Sequence, residues 1–116
     1  MMERDEAATR FMAVVDRLLK AAHGELQPTG AAILAAIDQG VGSDSRSLAN
    51  SLGIAHALVL REISTLSGTM LHVVRRDDRT QRTFVELTVR AQTIALAAST
   101  AVNEHSVSNS ALPETP

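Results

Sequence analysis

Arg75, Arg76, Arg79 and Arg82 bring four guanidinium groups into eight residues, the densest run of cations in this 116-residue sequence. A guanidinium is planar, forked and permanently charged, so it suits phosphate oxygens and narrow minor grooves better than an ammonium does. Arg79 and Arg82 are the preferred contacts of the four. Asp77 and Asp78 interrupt the run; an aspartate there either orients an arginine or simply makes a solvated, charged turn. Other chemistries lack their residues. His23, His56, His72 and His105 lie far apart with no paired spacing on a helix face, and the chain has no cysteine, so neither a metal site nor thiol chemistry is expected. No glycine-rich phosphate loop, nucleophile elbow or acid–base carboxylate pair occurs, so the sequence predicts no enzyme and no cofactor.

The elements that must position these arginines are legible from spacing. Ala8, Phe11, Met12, Val15, Leu18, Leu19 and Ala22 recur every three or four residues and predict an amphipathic helix over 6–22. Pro28 suits the first turn of a second helix, whose Ile33, Leu34 and Ile37 form a buried stripe up to Gly40. Asp44 can accept backbone N–H bonds as N-cap of a short third helix burying Leu48, Ala49 and Leu52, and Gly53 ends it. A fourth helix is expected from about Ala55 to Ser67, with Val59, Ile63 and Leu66 inward. Two helices joined by a short glycine-containing turn make a helix-turn-helix.

The period then changes. Residues 69–75 and 83–88 are rich in β-branched and apolar types and flank the charged run, which predicts a β-hairpin with a charged tip. Thr88 can cap a last helix from Val89 to about Val102. Beyond it Ser, Asn, Pro and Glu dominate without periodicity, so residues 103–116 are expected to be a disordered tail behind one domain over 1–102.

Composition agrees with one packed module. Hydrophobic residues make up 45% of the chain, but only 2% are aromatic, so the core must be aliphatic, which favours helices. Net charge is −2, yet residues 44–90 carry seven basic and five acidic groups, while the flanking segments are each net −2; the middle is the net-basic part. An acidic start without an apolar signal core, and no long apolar run, predict a cytoplasmic protein with no membrane span.

From about Leu26 to Ile94 the chain resembles the MarR (multiple-antibiotic-resistance-regulator) family of winged helix-turn-helix regulators. Three patterns carry the likeness: Leu26-Gln27-Pro28 at the entry to the second helix, Leu48-Ala49-Asn50-Ser51-Leu52-Gly53-Ile54, and Val85-Glu86-Leu87-Thr88 at the hairpin's exit. The resemblance implies a mainly α fold with a small β-hairpin wing and N- and C-terminal dimerisation helices. It implies a homodimeric transcriptional regulator on double-stranded DNA, with the fourth helix in the major groove and the wing on the minor groove or backbone. Ala55, His56, Ala57, Leu60, Arg61 and Ser64 would then face DNA, as would Arg75, Arg76, Arg79 and Arg82 of the wing. Against the family's Asp-x-Arg wing motif, this tip is slipped or has gained a residue. A small-molecule effector is also implied, but with few aromatics none can be named.

Ala57, Leu58 and Leu60 are poor in hydrogen-bond donors, which leaves His56 and Arg61 as the long polar groups of that surface. Arg61 either contacts guanine or phosphate or pairs with Glu62 or Asp44. The same apolar residues motivate a competing expectation, a winged-helix module that binds another protein through an exposed patch on the fourth helix.

Overall fold

A computed structural model describes residues 2–111, and the side chains of residues 6–102. Its elements are α1 (Met2–Ala21), α2 (Pro28–Asp38), α3 (Ser45–Leu52), α4 (His56–Leu66), β1 (Leu71–Asp77), β2 (Arg82–Leu87) and α5 (Val89–Ala111). The element order is the expected one: five helices and one antiparallel hairpin, the winged-helix arrangement.

Local chemistry sets the element ends. Asp44 caps α3, its Oδ2 accepting from Arg46 N and Ser47 N at 3.0 and 3.1 Å. Gly53 leaves that helix at φ +67°, a left-handed conformation that a side chain would strain, and so makes the tight turn into α4. Thr88 starts α5, its Oγ1 accepting from Ala91 N at 3.2 Å.

The core is aliphatic. Leu18 of α1, Ile33 and Leu34 of α2, Leu48 of α3, Val59 of α4, Met70 and Leu71 are fully buried and join one cluster with Ala91 and Ala95 of α5. Such burial is worth about 2 kcal/mol per large side chain. Alanines and Gly30 let the helices approach closely: a Cβ on Gly30 would meet Leu66 Cδ1 at 3.3 Å. An ion pair between Arg90 and Glu25, and a 3.2 Å hydrogen bond from Ser99 Oγ to Asp38 Oδ2, tie α5 to the two ends of the α2 segment.

Two boundaries differ from the sequence expectation. Helix α5 runs on to Ala111, well past the expected end near Val102; the rest of the expected tail, residues 112–116, lies outside the described residues. The strands extend further into the charged run, β1 taking in Arg76 and Asp77 beyond the expected end at Arg75 and β2 beginning at Arg82, so that the tip is only residues 78–81.

Candidate nucleic-acid interface

Helix α4 and the wing enclose a cleft of about 550 Å³ lined by Leu60, Ile63, Ser64 and Ser67 on one side and Val73, Arg76 and Thr83 on the other. Which arginine joins that lining is set by a β-bulge. Val73 pairs with Val85, but the next pair is Arg75 with Phe84, so Val74 is an extra residue without a partner. In a regular ladder Arg75 would oppose Thr83 and share its inward face. The extra residue hands that position to Arg76, which opposes Thr83 and lines the cleft. Arg75 is turned away, with its guanidinium carbon 4.0 Å from the centroid of Phe84.

Strand β2 and the tip of the wing are bonded to the start of α3. Val85 N donates to Ser43 O at 2.9 Å, and Arg46 Nε donates to Thr80 O at 3.1 Å. Arg82 Nη1 donates to Asp44 Oδ2 at 2.7 Å and to Ser47 Oγ at 3.3 Å. Burial alone would raise the Asp44 pKa, but hydrogen bonds from the Ser47 hydroxyl and backbone and from Arg82 outweigh it and hold the carboxyl below its usual 3.8. Ser45, wholly buried, accepts from Thr83 N at 3.0 Å and lies 2.8 Å from His56 Nε2. Burial first, and then the charge of Arg46, keep the His56 pKa below its usual 6.5 against an opposing pull from Asp44.

These bonds sort the expected site residues. Ala57, Arg61 and Ser64 are exposed on α4, whereas His56 and Leu60 are half-buried. Among the described residues Arg61 makes no ion pair, so neither the Glu62 nor the Asp44 pairing forms; Asp44 is taken by Arg82. Arg76 and Arg79 are exposed, and their side chains bond to no other described residue; Arg79 is held only through its backbone N–H, which donates to Asp77 Oδ1 at 3.1 Å. Arg82, one of the two preferred contacts, is half-buried on Asp44. The exposed apolar patch expected on α4 is not found: Leu58 and Leu60 are both half-buried.

Sequence reasoning missed Ser45 and Arg46. Their signal was the polar run Asp44-Ser45-Arg46-Ser47, more hydrogen-bonding groups than one helix cap needs. Among the described residues no cluster of His, Asp or Glu could hold a metal ion, and no helix is long and apolar enough to cross a membrane.

No family model and no curated protein matches the chain. Among solved structures it is similar to MepR, a transcription regulator of the Staphylococcus aureus multidrug efflux pump MepA, at 14% identity and a TM-score of 0.60, covering 99% of this chain and 82% of that one. At that identity the likeness is one of fold: the architecture is a winged helix like that of MepR.

Proposed function

We propose that the protein is a homodimeric, cytoplasmic regulator of transcription that binds double-stranded DNA with α4 in the major groove and the wing along the adjacent minor groove or backbone. The observation that carries this reading is the cleft between α4 and the wing, with the cationic side chains of Arg61, Arg76 and Arg79 uncommitted to any carboxylate among the described residues. Cations left without internal partners beside a helix-turn-helix fit an anionic backbone. Ala57, Leu60 and Ser64 offer methyl and hydroxyl contacts, so base discrimination rests on Arg61.

The dimer reading is supported by α1 and α5, where Met12 is 60%, Leu96 67% and Val89 77% exposed. Apolar surface of that kind on long terminal helices is commonly covered by a second copy. Sedimentation of the wild type and of Met12→Glu/Leu96→Glu tests it: a dimer that the double variant dissociates is expected, and a monomer in both refutes it.

DNA binding is tested by fluorescence anisotropy on the duplex upstream of the gene and on a scrambled duplex, over a range of salt. Binding to both, falling steeply with salt, is expected. A wild type that binds neither at low salt refutes the reading. The half-burial of Leu58 and Leu60 removes the observation that motivated a protein-interaction module.

A further inference from the structure

The buried Ser45 hydroxyl settles which nitrogen of His56 carries the proton. A hydroxyl has one proton to give and can accept twice. Ser45 Oγ accepts from Thr83 N, and its one other hydrogen bond among the described residues is to His56 Nε2 at 2.8 Å. Ser45 is wholly buried, so its proton needs an acceptor. Nε2 is that acceptor, and in a neutral ring the proton then sits on Nδ1. Nδ1 has no bonding partner among the described residues and is not among their buried unpartnered atoms, so it reaches solvent. The charged groups facing the ring are Asp44 and Arg46 at the start of α3 and Arg82 on β2. A second proton, on Nε2, would set two donors against Ser45 Oγ and leave the hydroxyl proton buried without a partner.

We propose that Ser45 locks His56 in its Nδ1–H form, so that the first residue of α4 presents a neutral hydrogen-bond donor to DNA. The donor role rests on the DNA-binding reading; the lock does not. Because the donor is neutral, its contact releases no counterion, which separates it from every arginine contact.

Long-range ¹H–¹⁵N NMR of the full chain above pH 7 tests the lock without any substitution. The Nδ1–H form is expected, with Ser45→Ala shifting the ring toward Nε2–H; a wild-type ring protonated on Nε2 overturns the lock. For the donor role, His56→Ala is expected to weaken binding to duplex DNA by about fivefold with an unchanged salt slope. Unchanged affinity, or a slope smaller by about one unit, overturns it. Wild type that binds no duplex at low salt overturns the DNA reading and the donor role together, while the NMR result still decides the lock.

Discussion

Where β2 leaves the tip of the wing, the guanidinium of Arg82 is half-covered and bonded to Asp44, a carboxylate that also caps α3. Three residues earlier, in the tip itself, the side chain of Arg79 is exposed and bonds to no other described residue. The two arginines came from one run and looked equivalent in the sequence. What separates them is the reach of Asp44: beside that buried carboxylate a guanidinium completes an internal network, and out of its reach it is free for a ligand. Substitutions in the Asp44 network should therefore change stability, and substitutions of the uncommitted arginines should change affinity.

The largest effect is expected from Asp44→Ala. It removes a helix cap, worth about 1 kcal/mol, and leaves the Arg82 and Ser47 hydrogen bonds without their acceptor at about 1 kcal/mol each. A loss of about 3 kcal/mol should lower the melting temperature by on the order of 10 °C. A shift of only 1 or 2 °C would show that the Asp44 network contributes little. Arg82→Ala, which leaves the cap in place, should cost about 1–2 kcal/mol of stability while the salt slope of DNA binding holds. If instead its melting temperature is unchanged and the slope flattens, Arg82 and Arg79 do the same work.

Arg76→Ala and Arg79→Ala are the converse. Each should weaken binding to many sequences by about tenfold and flatten the salt slope by about one unit, with no change in melting temperature. Arg61→Ala should mainly erode the difference between the promoter and scrambled duplexes. A drop in melting temperature for Arg76→Ala would mean that this arginine also belongs to the internal network.

How far this division was legible depends on the range of the interactions that make it. Asp44, Gly53 and Thr88 announced themselves because a cap is chemistry between near neighbours. The helical stripes did so because 3.6-residue spacing survives any tertiary arrangement. Arg76 was harder to rank, since a period of two cannot count the unpaired Val74, and one extra residue exchanges the faces of every position after it. Ser45 carried no periodic mark, and the partners that give it meaning, Thr83 and His56, lie 38 and 11 residues away. The end of α5 was read short because Ser, Asn and His after residue 102 have no apolar rhythm, yet helix backbone continues to Ala111.

A smaller effect tests the network around Asp44 and Ser45 through pH. The folded pKa of His56 lies below 6.5, so between 6.5 and that lower value the unfolded chain binds a proton that the folded chain does not. This part of the stability is complete above 6.5 and is lost as pH falls through the folded value. Asp44 adds a second loss that begins only below 3.8. His56→Gln should abolish the first decline in a plot of melting temperature against pH and leave the second; a decline near pH 6 that persists in the variant would assign it elsewhere.

The smallest effect belongs to Arg75, which sits beside Arg76 in sequence but on the opposite face of the wing, the bulge at Val74 having set which of the two faces the cleft. Its guanidinium stacks on Phe84, an exposed cation–π contact of the kind worth about 0.5–1 kcal/mol. Arg75→Ala should therefore lower stability by about that much and leave the salt slope of DNA binding unchanged, in contrast with Arg76→Ala one residue away. Arg75→Lys should recover part of the loss, because an ammonium also attracts the ring face but lacks the planar stacking of a guanidinium. The pair is a direct test of the bulged register: in a regular ladder Arg75 would face the cleft and Arg76 would not, so a flattened slope for Arg75→Ala with a normal slope for Arg76→Ala would place the extra residue somewhere other than Val74.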